Sequence, residues 1–189
     1  MIDRKAQILQ AAADLLQTRS FSAFSYQHLA DRLGIRKASV HHHFPTKEHL
    51  GEALTRHYLD AYRARLADID RQHRDPWERL EAFLDAAAEI RRSGDKICAG
   101  GAFQAEHNVL PQRVCEGVVS LLAHVRSWLA GVLAEGRGQE VMHFPGQAAG
   151  QAALMVAALQ GALQNARCEG DELYVAVVGQ LRAGLRGER

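Results

Sequence analysis

The residues of this chain best suited to bind another molecule lie close together, between Arg36 and His42. Arg36 and Lys37 carry positive charge, Ser39 carries a hydroxyl, and His41 and His42 carry imidazoles. Cations attract phosphate groups, while hydroxyl and imidazole groups form hydrogen bonds with phosphates or with the edges of bases. On one short helix, this combination would suit the groove of a double-stranded nucleic acid.

The residues around this cluster predict a helix-turn-helix motif over about residues 25–44. Ser25 is a suitable N-cap for a short first helix, and Gly34 is the residue type that most easily adopts the left-handed conformation after a helix. Ile35 and Val40 are expected to pack back against the first helix. The second helix would then present its polar side chains outward, as in a DNA-reading helix.

Residues 25–50, SYQHLADRLGIRKASVHHHFPTKEHL, resemble the signature of the TetR family of transcriptional regulators. In that signature a Ser or Thr opens helix 2, a Gly-Val/Ile turn precedes a short recognition helix, and an aromatic-x-His-Phe-x-x-Lys-Glu-x-Leu run follows. The resemblance covers about a third of the chain closely. It implies a DNA-binding head, a helical body that binds a small-molecule effector, and a homodimer.

The resemblance also implies roles for individual residues. Ser25 and Tyr26 would meet a phosphate at the start of helix 2. Lys47 would contact a backbone phosphate beside the N-terminus of helix 4, where free N–H groups attract anions. The major-groove contacts would come from Lys37, Ala38 and Ser39. The full set of candidate DNA-binding residues is Ser25, Tyr26, Arg36, Lys37, Ala38, Ser39, His41, His42 and Lys47.

Two positions depart from the family pattern. His41 stands where the family usually has a phosphate-contacting Tyr, and Ser20 stands where a Gly commonly follows helix 1. The run of three histidines at 41–43 could suggest a metal site. Successive residues on a helix point about 100° apart and cannot easily share one ion. No metal and no cofactor is therefore expected.

The spacing of apolar residues predicts an all-α protein of about nine helices. A three-helix head over residues 1–62 would be joined by a long fourth helix to a body over residues 63–189. The prolines at 76, 111 and 145 stand where helices can begin, since their missing N–H is tolerated in a first turn. They predict helices of about 76–93, 111–135 and 145–167, with a shorter helix near 98–108 and a last one near 171–186.

The composition is that of a globular protein, with 47% hydrophobic residues and a formal net charge of +1. Residues 1–62 contain eight Lys or Arg against six Asp or Glu, a weak excess that favours a nucleic-acid face there. The three cysteines are widely spaced and predict neither a disulfide framework nor a metal knuckle. Since neither a signal peptide nor a membrane span is expected, the predicted location is the cytoplasm.

The body contains no recognisable catalytic motif, so an enzyme is not expected. Small residues at 146, 150, 153, 157 and 161 fall close to one stripe of a predicted helix, where they would permit close helix approach. Dimers with two-fold symmetry bind palindromic DNA sites. We therefore expect a homodimer through about residues 145–186, although the stripe could instead pack only within the subunit.

The effector pocket implied by the resemblance would lie within the body. Its candidates are apolar or mixed side chains on inward-facing helices, each of which could equally be simple core: Cys98, Phe103, His107, His124, Trp128 and Met155. Cys98 stands at the predicted start of a short helix, which favours a reactive thiolate. The segment 98–110 loosely resembles a stretch of family members that sense electrophiles or oxidants. The effector is thus expected to be a small molecule. It could be a thiol-reactive electrophile that modifies Cys98; alternatively, Cys98 is an inert thiol and the effector binds non-covalently.

These features together predict a DNA-binding regulator that represses transcription from a palindromic operator and is released by its effector. An activator or dual regulator of the same family would have the same sequence features. Two readings from other classes are an enzyme with an appended DNA-binding head and a module whose head binds protein instead of DNA.

Overall fold

The computed structural model describes residues 3–94 and 96–186 of the 189-residue chain. Within these ranges it contains nine α-helices and one 3₁₀ turn, His107–Val109, and no strands, which confirms the predicted all-α class. The helices are α1 (Arg4–Arg19), α2 (Tyr26–Leu33), α3 (Lys37–His43), α4 (Lys47–Gln72), α5 (Pro76–Arg92), α6 (Ala99–Gln104), α7 (Gln112–Gly138), α8 (Ala148–Glu169) and α9 (Asp171–Arg186).

Several helices begin at a residue whose side chain caps them. The carboxylate of Asp75 accepts hydrogen bonds from the backbone N–H groups of Trp77 and Glu78, with Pro76 in the first turn of α5. The prediction that an eighth helix begins at Pro145 is wrong by three residues. Gly146 has φ = +73° and lies before α8, so it is not part of the small-residue stripe on that helix.

The chain forms two compact units. The first comprises the N-terminal helices through Ala61 together with Cys98–Leu122. Close approaches between helices hold it together: a Cβ placed on Gly117 would lie 2.3 Å from the Thr55 hydroxyl oxygen, and a Cβ placed on Gly51 would lie 2.7 Å from a Val114 methyl carbon. Glycine is needed at both positions because any side chain would push the helices apart. The core of this unit includes Ile8, Leu16, Phe24, Leu29, Phe44, Leu50 and Phe103.

The second unit comprises Tyr62–Ile97 and the chain from Ala123 onward. Helices α8 and α9 pack along each other, and the loop before α8 is tied to α9 because the His143 N–H donates to the Leu185 carbonyl at 2.8 Å. Gly136 allows Met142 to fold over α7, since a Cβ there would lie 2.5 Å from the sulfur. The core includes Leu80, Leu84, Leu129, Leu133, Leu159 and Leu163.

The predicted functional division into residues 1–62 and 63–189 stays a prediction, and the compact units differ from it in one respect. The segment 98–122 belongs to the same compact unit as the N-terminal helices. Both α4 and α7 contribute residues to each unit.

Helix α7 differs from the sequence-based expectation about membrane spans. Over Gln112–Gly138 it is long and apolar enough to cross a bilayer by length and composition alone. Its largest apolar residues, including Leu121, Leu129 and Leu133, are buried inside the protein. A buried core helix satisfies the same criteria as a membrane span, so this helix is weak evidence for a membrane.

Candidate nucleic-acid interface and body cavity

The start of α2 is capped as predicted. The Ser25 hydroxyl accepts a hydrogen bond from the His28 N–H at 3.4 Å, and the Ser25 N–H donates to His28 Nδ1 at 3.2 Å. Histidine thus performs the task that Glu or Gln performs in the usual capping box. Ser25 is exposed, which places a hydroxyl and a helix N-terminus at the protein surface.

The turn between α2 and α3 depends on Gly34, which has φ = +62°. It closes α2 because the Ile35 N–H reaches the Ala30 carbonyl at 3.0 Å. Val40 is fully buried and anchors α3 against the head. This arrangement confirms the predicted helix-turn-helix and fixes which side of α3 faces outward.

The outward side of α3 carries the predicted polar cluster. Arg36, Lys37 and Ala38 are exposed, and Ser39 is half-buried. At the other end of the helix His41 and His42 are exposed. The structure therefore brings six of the nine candidate DNA-binding residues onto or beside one short helix.

Tyr26 is an exception. It is buried, and its hydroxyl donates to the Phe44 carbonyl at 2.8 Å. Burial raises the pKa of this phenol to about 12, so it remains a neutral donor. The predicted phosphate contact by this side chain is therefore corrected: the phenol braces the turn before α4. His41 packs edge-on against it, with ring centroids 4.6 Å apart.

Lys47 also makes contacts within the head. Its ammonium donates a hydrogen bond to the Phe24 carbonyl and lies 4.8 Å and 4.6 Å from the ring centroids of Phe21 and Phe24. Burial lowers the pKa of Lys47, and the nearby Glu106 carboxylate opposes that shift. Lys47 is half-buried, and these contacts tie its ammonium to the α1–α2 loop; the predicted phosphate contact stays a prediction.

Glu106 is a structural residue that sequence reasoning missed. Its carboxylate accepts hydrogen bonds from the N–H groups of Phe21 at 2.7 Å and Ser22 at 3.1 Å. These partners are 85 and 84 positions away in the chain, and no local pattern links them. Glu106 thus fastens the loop after α1 to the segment that follows α6.

Lys5 is a further cation that the sequence left unassigned. It is exposed, and its ammonium lies 5.8 Å from the Phe44 ring, just after the C-terminal end of α3. Folding thus places a positive charge from α1 beside the outward-facing cluster.

The six candidate effector residues divide between the two compact units: Cys98, Phe103 and His107 belong to the first, and His124, Trp128 and Met155 to the second. Phe103 is fully buried against Phe21, with ring centroids 5.6 Å apart, and Met155 is fully buried in α8. Burial fits a core residue and also a ligand contact inside the body, so the ligand-binding role of both residues stays a prediction. His107 is exposed on the 3₁₀ turn, and Cys98 is the half-buried N-cap of the six-residue α6.

His124 and Trp128 do share a cavity. It has a volume of about 420 Å³, is open to solvent and lies within the second unit. The Trp128 indole N–H donates to Asp70 at 2.9 Å. The described residues lining it are Asp70, Arg79, His124, Ser127, Trp128, Gly131, Val132 and Glu135.

The three thiols differ in exposure. Cys115 is buried, with its sulfur 3.7 Å from the His107 carbonyl, Cys98 is half-buried, and Cys168 is exposed on α8. Within residues 3–94 and 96–186, no group of three or more His, Cys, Asp or Glu is arranged to hold a metal ion.

One side of α8 and α9 presents small and apolar residues to solvent. Leu154 is 58% exposed and Val175 is 66% exposed, both unusual for large apolar side chains. A Cβ placed on Gly150, Gly161 or Gly179 meets no described neighbour within 4 Å. The exposed members of this surface, named here the α8–α9 face, are Gly150, Ala153, Leu154, Ala157, Gly161, Val175, Ala176 and Gly179.

The helix-turn-helix agrees with known proteins. Residues 8–54 match the family model described as bacterial regulatory proteins, tetR family. The crystal structure of a TetR family transcriptional regulator from Agrobacterium tumefaciens is similar over 97% of each chain, with a TM-score of 0.91 and 29% identity. The chain belongs to the TetR family of transcriptional regulators. The family's helix-turn-helix head and helical body account for the order of elements seen here.

Two curated relatives show how the similarity is distributed. The HTH-type transcriptional repressor KstR2 of Mycobacterium tuberculosis is 35% identical over 86 residues, which are 46% of this chain and 43% of that protein. The nucleoid occlusion factor SlmA of Vibrio vulnificus is 27% identical over 167 residues, which are 86% of this chain and 83% of that protein.

Proposed function

We propose that this TetR family member is a homodimeric repressor that binds a palindromic operator and releases it when a small molecule occupies the body. The outward side of α3 carries this proposal. It presents two cations, a hydroxyl and two imidazoles on a helix whose opposite side is anchored by Val40. We further propose a cytoplasmic protein with no enzymatic activity.

The DNA contacts divide by chemistry. Arg36 and Lys37 supply charge for phosphates or guanine edges, and the exposed methyl of Ala38 suits the methyl group of thymine. Ser25, at the N-terminus of α2, would donate to a phosphate, which a helix N-terminus attracts. Lys5 adds a phosphate contact at the far end of α3.

The α8–α9 face supports a homodimer. Exposed glycines and alanines allow a second pair of helices to approach closely, and Leu154 and Val175 would lose their contact with water. Two heads related by a two-fold axis would then read two half-sites about one or more helical turns apart.

Repression, as opposed to activation, is supported by the similarity over 86 residues to a protein named as a transcriptional repressor. An activator would use the same head, so the two differ in the response of transcription. A reporter driven by the selected operator would rise on deletion of a repressor and fall on deletion of an activator.

The test of the DNA-binding step is a binding measurement on operators selected from a random pool, repeated over a salt series. We expect palindromic sites. Lys37→Ala should weaken binding and lower the magnitude of the salt slope by about one. Arg74→Ala, which removes an exposed cation far from α3 in sequence, is the matched control and should bind as wild type. The proposal would be contradicted if the protein bound no duplex DNA, or if Lys37→Ala left the salt dependence of binding unchanged.

A further inference from the structure

The cavity beside Trp128 has features that packing within the chain leaves unexplained. Of the glycines in α7, Gly117 and Gly136 are required by the close approach of Thr55 and Met142. Gly131 has no such neighbour: a Cβ placed there meets no described atom within 4 Å, and the residue lines the cavity. Glycine inside a helix is less stable than alanine. Gly131 is exposed, and a side chain added there would extend into open space at the cavity.

The charged groups of the cavity are unevenly exposed. The Arg79 side chain is only 15% exposed, whereas Asp70 and Glu135 are 43% and 42% exposed. Arg79 pairs with Glu135 and lies 3.6 Å from Asp70. Two carboxylates beside one guanidinium leave an excess of negative charge. Both carboxylate side chains are more exposed than the guanidinium, although Oδ1 of Asp70 is itself buried.

An aromatic ring stands next to this charge. The Trp128 indole is held by its N–H bond to Asp70 and by the Phe83 ring, whose centroid is 5.7 Å away at a tilt of 39°. An indole fixed in this way presents the electron-rich surface that attracts cations, and Trp is the strongest of the aromatic residues in this respect.

We propose that the cavity binds a small organic cation that carries an aromatic or flat apolar group, with its positive charge facing Asp70 and Glu135 and its apolar part against Trp128. This inference rests on the proposed effector-binding function of the body and names the chemical class of the effector. The volume of about 420 Å³ suits a small drug-sized molecule.

The test compares three probes of similar size that differ in charge: benzyltrimethylammonium, benzyl alcohol and phenylacetate. Binding to the full-length protein is measured by calorimetry and by quenching of tryptophan fluorescence in a Trp77→Phe background, which leaves Trp128 as the reporter. We expect the cation to bind about tenfold more tightly than the alcohol and more tightly still than the anion. Added salt should weaken the binding of benzyltrimethylammonium and leave the binding of benzyl alcohol unchanged.

Two variants locate the site. Gly131→Met should fill the open space and abolish binding while leaving thermal stability equal or higher, because a Cβ there meets no described neighbour. Glu135→Gln should lower the affinity for the cation about threefold, as expected for a half-exposed charge. Glu140→Gln removes an exposed acid outside the lining and should bind as wild type. Gly138→Met, at another open position in α7, controls for the added side chain.

The proposal is overturned if none of the probes binds, if phenylacetate binds as well as the cation, or if the cation still binds to Gly131→Met. Operator affinity measured in the same samples separates this inference from the proposed function. Selective cation binding without loss of operator affinity would support the site and refute its role as the effector site. Operator binding that fails without any probe would refute the DNA-binding proposal and leave the cation result standing.

Discussion

The backbone at Ser20 offers the most direct test of the head's energetics. Ser20 follows α1 with φ = +75° and ψ = 162°, a conformation that is almost restricted to glycine. Its N–H donates to the Leu16 carbonyl at 3.0 Å, and that backbone bond is available to any residue except proline. Replacing Ser20 by glycine therefore removes the strained Cβ and keeps the hydrogen bond.

The expected gain is the difference between two terms. A non-glycine residue in this region costs about 1–3 kcal/mol. Glycine loses more backbone freedom on folding, which costs about 0.5–1 kcal/mol. The net stabilisation of Ser20→Gly is thus about 1 kcal/mol. For a chain of this size that corresponds to a rise in melting temperature of roughly 2–4 °C.

Differential scanning calorimetry and urea unfolding of wild type, Ser20→Gly and Ser20→Ala measure this effect. The alanine variant retains the Cβ and loses only the hydroxyl, so it should show no gain. A melting temperature that falls or stays constant in Ser20→Gly would refute the strain argument. An equal rise in Ser20→Ala would assign the effect to the hydroxyl.

Three further predictions concern other parts of the chain. Glu106→Ala should destabilise the protein by about 2 kcal/mol in urea unfolding, because two N–H groups lose a charged acceptor; an effect below about 0.5 kcal/mol, the usual range for an ordinary surface site, would contradict the role of this carboxylate. Gly150→Arg should convert the dimer into a monomer by light scattering, whereas a dimer with wild-type mass would place the interface off the α8–α9 face. Peptide mapping after brief maleimide treatment should find Cys168 labelled fastest in a monomeric variant, because it is the exposed thiol. Operator release by an electrophile that is lost in Cys98→Ser would establish Cys98 as a sensor, and release that persists in that variant would exclude it.

The sequence alone determined the helix-turn-helix, because its signals are local. The cap at Ser25 involves a residue three positions away, and Gly34 is needed for the conformation of its own backbone. The period of apolar residues placed Val40 inward, and Lys37 and its neighbours outward. Each of these signals spans one or two helical turns, so the residues themselves were sufficient to predict them.

Only the tertiary structure decided what Tyr26 and Lys47 do. Both carry polar groups that would suit a phosphate, and their types are the same whether they face water or the core. Burial and the Phe44 carbonyl commit the Tyr26 hydroxyl to the fold, and the Phe24 carbonyl gives the Lys47 ammonium a partner within the head.

The same holds for the body. Asp70 and Trp128 are 58 positions apart, and the two N–H partners of Glu106 are more than 80 positions away. Hydrogen bonding and desolvation depend on which groups meet in space, and for residues this far apart the packing of whole helices determines that meeting. The cavity, its excess of exposed negative charge and the open space at Gly131 all arise at this level.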